Sequence, residues 1–188
     1  MQRWCLAVVA AWLAWPAMAA FDVGQLLAEL ARHPGGRATF TERKYLAVLD
    51  KPVVSTGEMR FRPPDYMEKR TTSPHPETLV LDKGEISMER DKRKLTISLE
   101  TQPEALAFVE SIRALLAGDR KALEKSYLLQ LSGTPQKWVL HLLPSDQRIA
   151  ALVLRITVSG SGNQVRSVEY LQADGDRTVL SIEPVAGS

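Results

Sequence analysis

The chain has 188 residues, with 24 Lys+Arg against 22 Asp+Glu and a formal net charge of +2. Its 45% hydrophobic and 24% charged residues exclude an intrinsically disordered chain. So even a charge balance gives no support to nucleic-acid binding, which usually shows a basic excess. The length fits one domain.

Met1 to Arg3 is a short positively charged start, and Trp4–Trp15 is an uncharged apolar run of 12 residues. Pro16 breaks it, and Ala17-Met18-Ala19 supplies the small-x-small pattern of a signal-peptidase site. The run falls short of the roughly 20 residues that span a bilayer. The arrangement predicts a cleaved signal peptide over 1–19, export to the periplasm and a mature domain over 20–188. The one cysteine, Cys5, lies inside the peptide and away from its cleavage site. Neither a lipid anchor nor a disulfide framework is therefore expected, and the fold must rest on its core.

Residues 22–32 predict a helix, capped by Asp22, with Leu26, Leu27, Leu30 and Ala31 on one stripe and Pro34-Gly35-Gly36 as its end. Strands are predicted at 37–46, 53–61, 66–72, 78–81, 86–89 and 94–99, separated by Pro-, Gly- and Asp-containing turns. In the second of these Val53, Ser55, Gly57, Met59 and Phe61 share a face, opposite Val54, Thr56, Glu58 and Arg60. The polar second face implies a sheet covered on one side. A helix is expected from Pro103 to Gly118, with Leu106, Val109, Ile112 and Leu116 as its stripe and Phe108 and Leu115 widening it. A short helix from Asp119 to Lys125 follows, then strands at 127–132, 137–143, 152–159, 164–172 and 177–183. No parallel crossover fits between such short runs. The fold class is mainly β with α: a strongly curved antiparallel sheet or partly closed barrel of ten or eleven strands, with helices over its concave side.

Catalytic patterns are missing. There is no G-x-S-x-G, H-E-x-x-H or Walker A sequence. Asp174 and Asp176 read as hairpin residues. His33, His75 and His141 are scattered and have no cysteine partner, which is poor evidence for zinc. No enzyme activity, metal or cofactor is expected. The basic run from Glu89 to Lys94 reads as a solvated hairpin tip. Met59, Met67 and Met88 fall on the early strands, beside Phe61, Leu79 and Leu81. Trp138, Leu140 and Leu142 share a face later, next to Leu129 and Leu131. Flexible methionines and aliphatic residues suit a long, apolar ligand, and they equally suit a dry core.

The order of elements resembles the LolA-like family of periplasmic outer-membrane lipoprotein carriers. The resemblance is carried by Ala38-Thr39-Phe40-Thr41-Glu42, by Gly57 to Asp65, by Thr72-x-Pro74, by Glu77 to Gly84 and by Leu142-Leu143-Pro144. Arg43 to Leu46 and Leu115 to Asp119 are more similar to a LolA-related branch than to the best-known carrier. The resemblance implies an unclosed β-barrel with a helical lid over a hydrophobic cavity. It also implies lipoprotein or other lipid cargo, taken by a monomer from an inner-membrane release complex and passed to an outer-membrane acceptor. On that reading Phe40, Met59, Phe61, Met67, Leu79, Leu81 and Met88 line the cavity, with Trp138 and Leu140 opposite and Phe108, Ile112 and Leu116 on the lid. The arginine that latches the lid in the familiar carrier is replaced by Pro63, with Arg62 one residue earlier. A one-residue offset reverses side-chain direction, which argues against Arg62 as the latch. An envelope lipid-sensing or regulatory binding domain on a similar half-barrel is the alternative. N-terminal sequencing of the exported protein should begin at Ala20 or Phe21, and a mature protein still carrying Met1 would refute the export reading.

Overall fold

The computed structural model of the chain describes residues 21–101 and 103–185, with the backbone alone over 103–108. The expected signal peptide and the side chain of Phe108 lie outside the described residues. The eleven strands are β1 (Gly36–Tyr45), β2 (Val53–Arg62), β3 (Tyr66–Ser73), β4 (Glu77–Asp82), β5 (Glu85–Arg90), β6 (Arg93–Ser98), β7 (Tyr127–Thr134), β8 (Lys137–Pro144), β9 (Val153–Ser161), β10 (Gln164–Gln172) and β11 (Arg177–Pro184). They form one sheet in the order β6-β5-β4-β3-β2-β1-β11-β10-β9-β8-β7, with every neighbouring pair antiparallel. Two meanders therefore meet at the β1–β11 pair, and β6 and β7 remain as unpaired edges. The fold is mainly β and is not closed. No helix among the described residues is long and apolar enough to cross a membrane.

Turn chemistry sets the meander. The β4–β5 hairpin turns on Lys83 (φ 47°) and Gly84 (φ 94°), and the β5–β6 hairpin on Asp91 (φ 49°) and Lys92 (φ 64°). Two successive positive φ values give a turn whose twist matches that of paired strands. Asp174 caps the β10–β11 turn by accepting from the Asp176 N–H at 3.0 Å, and Asp176 in turn accepts from the Ala47 N–H at 2.9 Å. Asp174 thus shapes its own turn, and Asp176 ties that turn to the β1–β2 connection.

The longer helices lie before β1 and in the link between the two edge strands, with one short helix between β8 and β9. Helix α1 (Val23–Leu30) starts at a capping box: the Gln25 N–H donates to Asp22 at 2.9 Å, and the Asp22 N–H to the Gln25 side chain at 3.2 Å. Its Leu26, Leu27 and Leu30 are buried, each contributing about 1.5–3 kcal/mol through burial. Leu99, expected as the end of a strand, instead starts a single 3-10 turn, Leu99–Thr101, and is fully buried. Helix α2 (Pro103–Ala117) follows and ends in a Schellman arrangement, with the Asp119 N–H donating to the Ala114 carbonyl at 2.8 Å and Gly118 at φ 71°. A Cβ at Gly118 would stand 2.4 Å from the Leu27 carbonyl oxygen, so this glycine also permits the close approach of α1 and α2. Helix α3 (Arg120–Glu124) is capped by Asp119. A fourth helix, α4 (Gln147–Ala150), capped by Asp146, was not expected from the sequence; at four residues it is too short to show a stripe.

The main core gathers Leu26, Leu27 and Leu30 of α1, Ala114 and Leu115 of α2, Leu123 of α3 and the concave faces of β7–β9. Trp138 is fully buried there; its indole N–H donates to the Gly162 carbonyl at 2.9 Å, and its ring fills the space over Gly160. A smaller cluster of Leu81, Leu99 and Val109 joins β4 to α2. On β2 the register shifts between Thr56 and Gly57, and a Cβ at Gly57 would meet the Arg70 carbonyl oxygen at 2.0 Å. Glycine is thus the residue that lets β3 close onto this irregularity. Gly57→Val should destabilise the fold by about 2 kcal/mol or more, read as a lower denaturation midpoint in urea.

Candidate functional site

Strand parity decides which side chains look inward. Along β1 the inward positions are Gly36, Ala38, Phe40 and Glu42. Register carries that face outward across the first meander. Phe40 stands opposite Gly57, Ala38 opposite Met59 and Gly36 opposite Phe61. Phe61 is opposite Met67, Met67 opposite Leu81, and Leu79 opposite Met88. All seven expected lining residues of the early strands therefore share the concave face.

They do not share one depth. A cavity of about 600 Å³ lies between β1, β2, β3, β8–β11 and the underside of α2. Met59, Phe61 and Met67 line it, with Ile112 and Leu116 from α2. Phe40, Leu79, Leu81, Met88, Trp138 and Leu140 are outside its lining. Leu81 is instead taken up by Leu99 and Val109. Trp138 and Leu140 are wholly enclosed in the main core. Phe40 stands one inward step beyond the lining residue Ala38. Leu79 stands opposite Lys69, and Met88 opposite Leu79, farther along the sheet. Arg62 is exposed on the opposite face, its guanidinium 3.9 Å from the Tyr66 ring centroid, which turns it away from α2.

Much of the further lining comes from strand residues that the sequence reading left unassigned: Ile156 and Val158 of β9, Val168 and Tyr170 of β10, and Leu180 and Ile182 of β11. Their alternation was visible in the sequence, but alternation marks a face and says nothing about what stands in front of it. His33 also reaches the lining, its Nδ1 accepting from the Gly35 N–H at 3.1 Å. His141 is on the convex face, 3.1 Å from the Thr157 hydroxyl.

At the end away from Gly36 the concave face turns polar. Glu42 is only 8% exposed and accepts from Lys69 Nζ at 2.7 Å and from the Ser55 hydroxyl at 3.1 Å, with Lys44 3.7 Å away. The Lys69 ammonium also sits 5.0 Å from the Phe40 ring centroid. Burial alone would raise the Glu42 carboxyl, but the hydrogen bond and charge of Lys69, with Lys44 and Ser55, outweigh it and hold the group below the usual carboxylate range. Burial, reinforced by the Glu42 charge, raises the Tyr170 phenol well above its ordinary value. Apolar lining thus gives way beyond Phe40 to a satisfied ion pair.

Residues 15–185 match the family model described as "Outer membrane lipoprotein carrier protein LolA-like". Among solved structures, a LolA superfamily protein from Nitrosomonas europaea is 10% identical with a TM-score of 0.43, covering 87% of this chain and 92% of the other. Lipoprotein LppX of Mycobacterium tuberculosis is 12% identical with a TM-score of 0.44, covering 87% and 98%. A chain of the Pseudomonas aeruginosa MucA/MucB complex is 14% identical with a TM-score of 0.47, covering 88% and 59%. No curated protein matches. At such low identities and scores, the family match and the cavity itself carry the functional reading.

Removing one partner of the buried pair exposes its cost. Lys69→Met leaves Glu42 enclosed without its main counter-charge and should destabilise the fold by about 3 kcal/mol, measured by urea denaturation at pH 7. The folded Glu42 carboxyl lies below its ordinary value of 4.5, so it stabilises the fold above that pH. That contribution is lost as pH falls through the lowered folded value. Glu42→Gln should flatten the acid limb of stability against pH.

Proposed function

Since the chain belongs to the LolA-like family of outer membrane lipoprotein carriers, we propose that it is an envelope carrier that shields the acyl chains of a lipoprotein or related lipid in its cavity. It takes that cargo from an inner-membrane release complex and yields it to an outer-membrane acceptor, crossing the periplasm as a soluble monomer. The observation that carries this reading is the cavity of about 600 Å³ with methionine, phenylalanine and aliphatic walls. Ligand sites commonly measure about 300–1,000 Å³ and are mostly apolar.

The physical task is to hide hydrocarbon. Each exposed methylene costs about 0.8 kcal/mol in water, so even a short acyl segment is strongly driven into a dry, apolar space. Binding of this kind needs no covalent step, in keeping with a family of carriers. Met59 and Met67 suit it because their unbranched side chains can repack around cargo of variable shape. Helix α2 places Ile112, Leu115 and Leu116 over the space and forms the lid. A cargo with several chains requires that lid to move outward.

Filling the space tests the reading. Met59→Trp and Ile112→Trp should each weaken uptake of a fluorescent fatty-acyl probe at least tenfold, about 1.4 kcal/mol, while circular dichroism shows the fold retained. Leu128→Gln, at an exposed position of β7, should bind the probe like the parent. Folded cavity variants with parental uptake would reject the cavity as the lipid site. Delivery is a separate measurement: loaded protein should transfer the probe to acceptor vesicles faster than the probe leaves on its own.

A further inference from the structure

The outer part of the first meander carries an inward apolar surface that the cavity does not use. Leu79 of β4 stands opposite Met88 of β5, Met88 opposite Leu95 of β6, and Ile86 of β5 opposite Ile97 of β6. Leu95 is nevertheless 56% exposed and Ile97 36%. This shelf ends at β6, an edge whose strand neighbour is β5 alone and of whose six residues five are exposed. The backbone of the edge is open as well. Arg90 and Arg93 flank the two-residue turn Asp91-Lys92, and farther along the Leu99 N–H donates to the Gly84 carbonyl at 2.9 Å. Hydrogen-bonding residues alternate in an antiparallel ladder. Arg93, Leu95, Ile97 and Leu99 therefore turn their N–H and C=O groups to β5, and Lys94, Thr96 and Ser98 turn theirs away from the sheet. The Ser98 carbonyl accepts from the Thr101 hydroxyl at 2.8 Å. The three outward N–H groups and the carbonyls of Lys94 and Thr96 have no pairing strand among the described residues. The turn end is cationic: Arg90, Lys92, Arg93 and Lys94 stand against Glu89 and Asp91. Arg90 is 3.9 Å from Glu77 and 3.8 Å from Asp91. Lys92, Arg93 and Lys94 form no ion pair among the described residues, although Glu89 stands opposite Lys94 on the convex face. Edge charges deter pairing, but here they occupy the turn end, and Leu95 to Ser98 carry none.

We propose that β6 is a docking edge for an extended segment of a partner polypeptide, which adds antiparallel as a further strand with apolar residues beside Leu95 and Ile97 and acidic residues beside Lys94 and Arg93. The inference goes beyond the carrier reading and does not depend on what fills the cavity. In this mode of recognition main-chain hydrogen bonds supply affinity and alternate side chains supply specificity. A polypeptide strand offers donors and acceptors at the spacing of Lys94, Thr96 and Ser98, which a lipid does not. A second copy of β6 brings the same cationic turn and no acid. An acidic–apolar segment answers the exposed leucine and isoleucine, the open backbone groups and the unneutralised cations together.

The test uses a fluorescein-labelled peptide, Thr-Val-Thr-Val-Glu-Glu-Asp, whose antiparallel pairing sets its valines opposite Ile97 and Leu95 and its acids opposite Lys94, Arg93 and Lys92. The purified protein should bind it at least tenfold more tightly than Thr-Val-Thr-Val-Lys-Lys-Lys in low salt, with the ratio shrinking as salt rises. Amide exchange followed by NMR should slow at Lys94, Thr96 and Ser98 when the acidic peptide binds, and change little at Arg93, Leu95 and Ile97, which are already bonded to β5. Thr96→Pro removes an outward N–H and leaves the β5 ladder intact; it should weaken binding of the acidic peptide at least tenfold. The double variant Arg93→Gln, Lys94→Gln should lose the preference between the two peptides. No binding of the acidic peptide at 1 mM, equal binding of both peptides by the parent, or slowed exchange at amides other than these three overturns the docking edge. So does self-association of the parent that Thr96→Pro abolishes, since the occupant is then a second copy. If a melting curve shows that Thr96→Pro does not fold, the exchange pattern and the charge variant decide the matter. None of these readings involves lipid uptake, so the docking edge and the carrier reading fail separately.

Discussion

The concave face of the sheet has to be hidden from water, and one stretch of chain is placed to do it: the segment from Leu99 to Glu124 that carries the backbone from one free edge of the sheet to the other. Because β1 pairs with β11 in the middle of the sheet, the edges are β6 and β7, strands that follow one another in sequence. The link between them must cross the open side of the half-barrel. Its helical stripe is therefore an obligatory cover. Where this cover and α1 meet large side chains, as over Trp138, Leu140 and Tyr127, the space is filled solid. Where the inward positions are Gly36 and Ala38, beside the unbranched Met59 and Met67, the walls are too small or too pliable to meet the helix, and the cavity remains. Empty space follows here from the distribution of side-chain size along one face.

The Glu42–Lys69 pair is hard to explain as a stabilising device. Removing two charges from water costs about what their attraction returns, so a buried ion pair seldom improves on an apolar pair of similar volume. Its position is more informative. It lies just past Phe40, on the inward face, at the end of the apolar lining. A charge pair at this point divides the concave surface into two zones of different polarity.

Much of this arrangement was legible in the residues. Eleven strand runs, their antiparallel pairing, the Asp22 cap, the Gly118 stop and the shared face of Met59 and Phe61 follow from local periodicity and turn chemistry, which are short-range properties; that Phe40, Met67, Leu79, Leu81 and Met88 join that face depends on the register between strands. Depth is not short-range. Leu81 and Met67 are direct partners with the same inward direction, yet Leu81 is buried under Leu99 and Val109, while Met67 packs against that cluster only in part and also borders the cavity. Nothing local to either residue encodes that difference, since it depends on where a segment about twenty residues away comes to rest. Trp138 illustrates the same point: its strand parity was readable, but its seat over Gly160 and its hydrogen bond to Gly162 depend on the β8–β9 register.

The same packing fixes one end of the cover. The C-terminal half of α2 is held by Ala114 and Leu115 inside a core of fourteen buried residues and by the Gly118 approach to Leu27. Exposing a single buried leucine of that core costs about 1.5–3 kcal/mol, and several would be exposed together if this half of the helix moved off the sheet. Lifting it would therefore dismantle the main core. The cavity wall formed by Leu115 and Leu116 is thus tied to the part of the molecule that defines its shape, whereas Met59 and Met67, unbranched and only partly buried, are the lining residues that can repack at least cost.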